Sequence, residues 1–259
     1  MAVAIAEAGY ELHVWARRPS SVRELGTVPH VAHANLDELA AACQIVGVCV
    51  STDEDVRQVV IDGLLGGLAA GSIVVNHGTG TPRNAIALTE ACAPAGVEVL
   101  DAPVSGGRPA AQQRRLLTMV GGPREAAERC RPVFEPFSRH VAYLGGTGAG
   151  QTAKLLNNAL LMLNQQSILE IVELVARLGL EPARVADVLK LGSANSTALG
   201  HFGGFITPEN VEHLAAVEAL DMDLFARAMR DADIDAEAIT GRGLAGANGL
   251  AQVLRRFQA

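Results

Sequence analysis

Residues 71–107 read GSIVVNHGTGTPRNAIALTEACAPAGVEVLDAPVSGG and hold one complete unit of the architecture. Ile73–Asn76 is an unbroken apolar run, as expected of a strand covered on both faces. Pro82 stands in the first turn of a helix running to Cys92, and Val97–Asp101 is a second apolar strand. Two strands joined through a helix lie parallel in one sheet, with a right-handed crossover. Each strand ends in a loop rich in glycine and hydroxyl groups, Asn76–Pro82 after the first and Asp101–Gly107 after the second. Such sheets bind ligands beyond the carboxyl ends of their strands, so these loops are where chemistry is expected.

The unit repeats in both directions. Upstream, Met1–Ala8 reads as a helix closed by Gly9, and Tyr10–Trp15 as a strand ending at Arg17-Arg18-Pro19. Ser21 with Glu24 and Asn35 with Glu38 have capping-box spacing; Ile45–Val50 is a strand and Asp55–Leu68 a helix. Downstream come a strand at Leu116–Val120, a helix at Pro123–Phe134 and a last strand at His140–Leu144. The pattern predicts an α/β Rossmann-type domain, a mostly parallel sheet with helices on both faces. Past residue 150 the pattern becomes helical throughout. Gln151–Leu178 carries apolar residues at helical spacing over about 28 residues, or roughly 40 Å of helix. Pro182–Leu191, Pro208–Leu220, Asp223–Asp231 and Leu244–Phe257 follow as helices with Gly-rich connectors. The expected division is residues 1–148 as the dinucleotide-binding domain. Residues 149–259 form an all-helical substrate and dimerisation domain that includes the interdomain helix 151–178.

Composition narrows the partner. With 49% apolar and 19% charged residues the chain can bury a core without disulfides, which excludes disorder and fibrous classes. A formal charge of −7 argues against a nucleic acid and for a small molecule. The four cysteines show no C-x-x-C pair and read as reduced thiols; His30 and His33 have no further ligand at a zinc spacing, so no metal is expected. No apolar run reaches membrane-spanning length and no signal peptide opens the chain, which predicts a cytoplasmic protein without membrane contact.

The residues after the strands carry the specific signals. A dinucleotide domain opens with a strand and G-x-G-x-x-G, and neither stands in residues 1–9. The sequence therefore predicts a domain entered inside its first helix, with the first strand and fingerprint, about a dozen residues, standing before Met1. Trp15-Ala16-Arg17-Arg18 ends the next strand without an acid, which favours NADP over NAD, a solvated turn being the competing reading. Ser105-Gly106-Gly107 leaves amides open to a carboxylate, and a plain glycine turn is its alternative. Lys154 and Asn158 project four residues apart from one face of the long helix near its positive end, which favours the amine form used in proton transfer.

Asp101–Gly107, the run Gly146-Thr-Gly-Ala-Gly-Gln-Thr-Ala-Lys154-Leu-Leu-Asn-Asn158 and the order of elements resemble the β-hydroxyacid dehydrogenases, the group of 3-hydroxyisobutyrate dehydrogenase and tartronate semialdehyde reductase. The resemblance covers nearly the whole chain. It implies NAD(P)-dependent interconversion of a small 3-hydroxy acid and its semialdehyde, in a homodimer that binds a small carboxylate. By the resemblance Lys154 is the general acid/base, Asn158 orients the same oxygen, and Ser105, Gly106 and Gly107 bind the carboxylate. Thr79 matches the contact to the nicotinamide end, and Val50 and Ser51 the loop beside the adenosine-side ribose. Related imine reductases usually place another residue at the lysine position, so Lys154 points to alcohol chemistry. The departures are Ala110 and Arg114 where glycines are expected, Met222 where the family has a lysine, and Asn76 in place of an acid. The rival readings are an imine reductase-like NADPH enzyme, a phosphate-binding NTPase, from Gly145–Thr152 with Gln151 in the lysine position, and a non-catalytic relative, impaired in cofactor binding, serving as an interaction protein.

Overall fold

A computed structural model describes residues 1–258, which form two compact units, one ending at Lys154 and the other beginning at Leu155. In the first unit α1 (Ala2–Glu7) is followed by β1 (His13–Val14), which keeps only two residues of the expected Tyr10–Trp15 strand. β1 pairs in parallel with β2 (Val31–Ala32), too short and exposed for its periodicity to show in the sequence. α2 (Pro19–Arg23) starts at Arg18, so Ser21 lies inside the helix rather than capping it; proline at the first helical position sets the start. α3 (Leu36–Ala42) has the predicted cap, with Asn35 Oδ1 accepting from the Glu38 amide at 2.9 Å.

The main sheet has the order β3 (Ile45–Val48), β4 (Ile73–Asn76), β5 (Glu98–Asp101), β7 (Leu116–Gly121), β6 (Val104–Ser105), with β8 (Ser138–Gly145) also on β7. β3, β4 and β5 are parallel, Ile45 opposite Ile73 and Ile73 opposite Glu98. β7 runs antiparallel to β5 and β6 and parallel to β8, a reversal that the alternating pattern did not predict. Its cause is the short return through α6 (Gly107–Gln112), which is too brief for a parallel crossover. Alternate strand residues feed two cores. Val46, Val48, Val74 and Val99 pack with α4 (Asp53–Arg57), its π-helical continuation Gln58–Leu64, and α5 (Pro82–Cys92). Ile73, Val75 and Leu100 pack with Phe134 of α7 (Arg124–Phe134) and with Phe137. Among the described residues no strand joins the β1–β2 pair to β3. A cavity of about 270 Å³ lies there, walled by Ile5, Val14, Ile45 and Phe134 among others.

The unit boundary falls inside α8 (Ala149–Arg177). The second unit adds α9 (Pro182–Leu191), α10 (Thr197–His201), α11 (Val211–Asp231) and α12 (Glu237–Gln258). Two expected helices, Pro208–Leu220 and Asp223–Asp231, are the single α11, because Met222 at the supposed break is fully buried in the core with Leu155 and Met162. The Gly-rich connector expected before Leu244 is instead the first two turns of α12. Its glycines give close approach: a Cβ at Gly243 would lie 2.6 Å from Met222 Cε and one at Gly249 2.7 Å from Leu169 Cδ2. One helix, α8, is long and apolar enough to cross a membrane by length and composition only, and polar residues from Lys154 to Gln166 interrupt its apolar ones. In the second unit its Leu155, Ala159 and Met162 pack with Phe225 of α11, and its Glu170 and Glu173 pair with Arg242 and Arg256 of α12.

Glu218 of α11 is buried against Gln165, whose Nε2 donates to Glu218 Oε1 at 3.0 Å; Gln165 Oε1 and Glu218 Oε2 find no protein partner. Burial first, and then the charge of Asp221, pushes the Glu218 carboxyl from the ordinary 4.5 up to about 7, against the pull of the Gln165 hydrogen bond. The folded chain then binds more protons than the unfolded one between these values, so stability falls as pH rises through that window. Glu218→Gln is expected to abolish this fall and to be more stable than wild type at pH 8 by up to about 3 kcal/mol. Urea melts of both proteins at pH 5 and pH 8 measure it, and parallel pH dependences would contradict it.

Candidate active site

The carboxyl ends of β1 and β3 open on a cavity of about 580 Å³, lined by Trp15, Arg17, Arg18, Val50, Ser51 and Asp55 among others. Thr52 caps α4 by accepting from the Asp55 amide at 3.0 Å, which holds Asp55 facing the strand ends. Arg17 donates to Asp55 Oδ1 at 2.5 Å and to Gln58 Oε1 at 3.1 Å, and these bonds draw the Asp55 carboxyl below its ordinary range. The guanidinium is thus held at the cavity rim with donors left over. Arg18 is the exposed residue at the start of α2, Val50 is half-buried and Ser51 is exposed. The wall of Trp15, Leu36, Leu39 and Leu64 beside a cation and a hydroxyl has the apolar and polar parts that the adenosine and ribose end of a dinucleotide needs.

The loop after β4 is fixed from within. Asn76, buried where the family has an acid, accepts the Gly78 amide at 2.9 Å. His77 is bonded through Nδ1 to the Ala102 carbonyl at 2.9 Å and packed edge-on against Phe134 and Phe137; burial lowers its pKa to about 4, so it is a neutral core residue. Thr79 is half-buried between two bonds made by one side chain: Gln151 Nε2 donates to the Gly78 carbonyl at 2.8 Å and the Gly80 amide donates to Gln151 Oε1 at 2.9 Å. Gln151 therefore brackets the loop and does not occupy the place of a phosphate-binding lysine.

The loop after β5 joins the same helix start. Asp101 is almost wholly buried; Oδ1 accepts the Gly148 amide and Oδ2 the Gln151 amide, each at 2.8 Å. Burial raises its pKa against the opposing pull of the Gly148, Gln151 and Gly150 amides. The approach is so close that a Cβ at Gly121 would lie 2.7 Å from both Asp101 Oδ1 and the Gly150 amide nitrogen. Beyond Asp101, Ser105 is half-buried at the end of β6, and Gly106 (φ 122°) and Gly107 (φ 63°) turn the exposed backbone into α6 with dihedrals that favour glycine. Ala110 fills the space beside Gly106, where a Cβ on Gly106 would lie 2.5 Å from the Ala110 methyl. Arg114 holds a left-handed φ of 56° and pairs with Glu7, which accounts for the glycine expected at this position.

Lys154 lies half-buried three residues after Gln151 on α8, and Asn158 follows one turn later. Asn158 is 6% exposed; its Nδ2 donates to Asp221 Oδ2 at 2.7 Å, and Asn157 Nδ2 donates to its Oδ1 at 3.0 Å. Met222 points into the helical core and not toward a ligand. Sequence reading missed three polar anchors: Asp101 as a clamp, Gln151 as a bracket and Asp221 beside Asn158. Asp101 stood in the motif, but its partners lie about fifty residues on, beyond any periodic signal.

A doubly covered, mostly parallel sheet with polar loops at its carboxyl ends, followed by a helical unit, defines a protein of the Rossmann type. Residues 1–145 match the family model for the NAD binding domain of 6-phosphogluconate dehydrogenase. Residues 148–242 match that for the NAD-binding region of NADP-dependent 3-hydroxyisobutyrate dehydrogenase. The chain belongs to the β-hydroxyacid dehydrogenase family. It is 35% identical to a 3-hydroxyisobutyrate dehydrogenase of Pseudomonas aeruginosa over 204 residues, covering 77% of this chain and 67% of the relative. It is 33% identical to an NAD-dependent L-serine dehydrogenase of the same organism over 201 residues, with coverage of 77% and 67%. A solved structure of Mycobacterium tuberculosis 3-hydroxyisobutyrate dehydrogenase with L-serine superposes with a TM-score of 0.85 at 24% identity, covering 100% of this chain and 94% of that one, and shows the shared fold. The family supports NAD(P)-dependent hydroxyacid dehydrogenase activity.

Proposed function

We propose that this chain is an NADP-preferring dehydrogenase that interconverts a small 3-hydroxy acid and its semialdehyde. One observation carries the reading: Asp101 and Gln151 tie the first turn of α8 to both loops, the one with Ser105–Gly107 and the one with Thr79. The helix that bears Lys154 is thereby registered on the loops assigned to carboxylate and nicotinamide. The bound nicotinamide supplies the hydride acceptor or donor at the substrate carbon. Lys154 Nζ takes the proton from the substrate hydroxyl as the carbon is oxidised and returns it to the oxygen in reduction. Asn158 holds the same oxygen through its side-chain amide. Ser105 Oγ and the Gly106 and Gly107 amides bind the carboxylate, where positive φ turns the backbone outward. Thr79 contacts the nicotinamide end, and Arg17, Val50 and Ser51 the ribose end.

The presence of Arg17 at the cavity rim, with no acid replacing it after β1, supports NADP over NAD. Asp55 already holds one edge of this guanidinium, so a 2′-phosphate shares it rather than meeting a free charge. Arg17→Ala is expected to weaken NADPH about tenfold more than NADH, as measured by titration of both coenzymes; an unchanged ratio would contradict the preference. A homodimer is supported by the apolar side chains that the helical unit leaves exposed, among them Leu174, Val188 and Leu191. The reading is tested by turnover of a panel of small 3-hydroxy acids and semialdehydes with both coenzymes, in which the acids with NADP are expected to react fastest.

A further inference from the structure

We propose that Asp221 is a positioning residue for this reaction: its carboxylate fixes the side-chain amide of Asn158 in the one orientation that presents it to the substrate oxygen. The inference rests on the assignment of Asn158 given above. An asparagine amide can turn end for end, exchanging donor and acceptor, unless its neighbours discriminate between the two ends. Both neighbours of Asn158 do so. A carboxylate only accepts, so the atom 2.7 Å from Asp221 Oδ2 is Nδ2. At the other end Asn157 Nδ2 donates to Asn158 Oδ1 at 3.0 Å, a bond that the turned amide would lose. The bond to Asp221 is charge-assisted and the stronger of the two.

Asp221 is itself well placed. The next residue, Met222, is fully buried among Leu155, Ala159 and Met162 of α8, which pins this turn of α11 beside the helix that carries Asn158. Gly243 of α12 leaves the room that Met222 fills. The other acid on this seam, Glu218, takes its hydrogen bond from Gln165, so it does not compete for Asn158. Asp221 thus acts on the reaction through the amide it holds.

The experiment measures kcat and KM for the best substrate of the wild-type enzyme, with melting temperature and NADPH affinity. The variants are Asp221→Ala, Asp221→Asn, Asn158→Ala and the double Asn158→Ala/Asp221→Ala. Asp221→Ala is expected to lower kcat about 10²-fold, the scale of a misplaced contact group. Asp221→Asn keeps the shape but no longer discriminates between the ends of the amide, and it is expected to lower kcat about tenfold. NADPH affinity stays unchanged in both. The double variant is expected to be no slower than Asn158→Ala alone, because a residue that acts only through Asn158 has nothing left to act on. Wild-type kcat in Asp221→Ala, or the same fold loss repeated in the Asn158→Ala background, would overturn the proposal. If Asp221→Ala does not fold, Asp221→Asn and its double with Asn158→Ala decide the matter in the same way. Wild-type kcat in Asn158→Ala would instead remove Asn158 from the reaction, and the role of Asp221 with it, a result separate from any seen at Asp221.

Discussion

Replacing Lys154 with alanine is expected to lower kcat by about 10²–10⁴-fold, the range supplied by a general acid or base in the transition state. That loss corresponds to about 3–5 kcal/mol of barrier. Oxidation of an alcohol leaves a proton on the oxygen that must depart with the hydride, and reduction creates an alkoxide that must be protonated. With Lys154 removed, only water is left to exchange a proton with that oxygen. NADPH affinity is expected to stay within error of wild type, because the coenzyme contacts are assigned to Arg17, Val50, Ser51 and Thr79. The helix start is held by Asp101 and Gln151, so the substitution leaves the scaffold intact. Equilibrium binding of NADPH and single-turnover rates separate the two effects. A variant that retains its turnover would take Lys154 out of the chemistry.

Asp101→Ala is expected to be the most destabilising single change in the first unit. The carboxylate is buried and accepts two amides of the first turn of α8 at 2.8 Å, groups that have no partner within the helix. Alanine would leave both donors buried and unpaired, at about 1–3 kcal/mol each. Removing the desolvated carboxylate recovers part of this, so a net loss of about 3 kcal/mol is expected. For a chain of this size that corresponds to a fall in melting temperature of about 6–12 °C. Activity should fall as well, since the turn that carries Lys154 loses its tie to β5. Asp101→Asn keeps one acceptor oxygen and should lose about half as much stability. Denaturant melts of the three proteins provide the measurement, and a midpoint within error of wild type for Asp101→Ala would show that the clamp carries no stability.

Local chemistry made much of this legible. Pro82–Cys92 was readable to the residue because proline opens the helix and an apolar face fills it, and Asn35 with Glu38 formed the cap their spacing implied. The strand ends pointed to Arg17, Ser51, Thr79 and Ser105; the structure places the first three on loops at the carboxyl ends of their strands and Ser105 as the last residue of β6. What stayed hidden depends on partners distant in sequence. The reversal of β7 comes from the tight return through α6, which composition reads only as a polar stretch. Gly243, just before Leu244, looks like part of a connector until Met222 is seen to need its space. Asn158 was visible as a polar residue at helical spacing from Lys154, but its partner Asp221 lies 63 residues away on α11.

The central claim is that the α8 lysine, registered on the Ser105–Gly107 loop, serves hydride transfer at a hydroxyl-bearing carbon. Its most direct test is the coenzyme-dependent turnover of small 3-hydroxy acids and their semialdehydes by the purified chain, followed through the absorbance of the reduced nicotinamide. The expected result is reversible, NADP-preferring turnover of at least one 3-hydroxy acid, lost in Lys154→Ala. Absence of turnover with every acid and semialdehyde in a preparation that binds NADPH would contradict it.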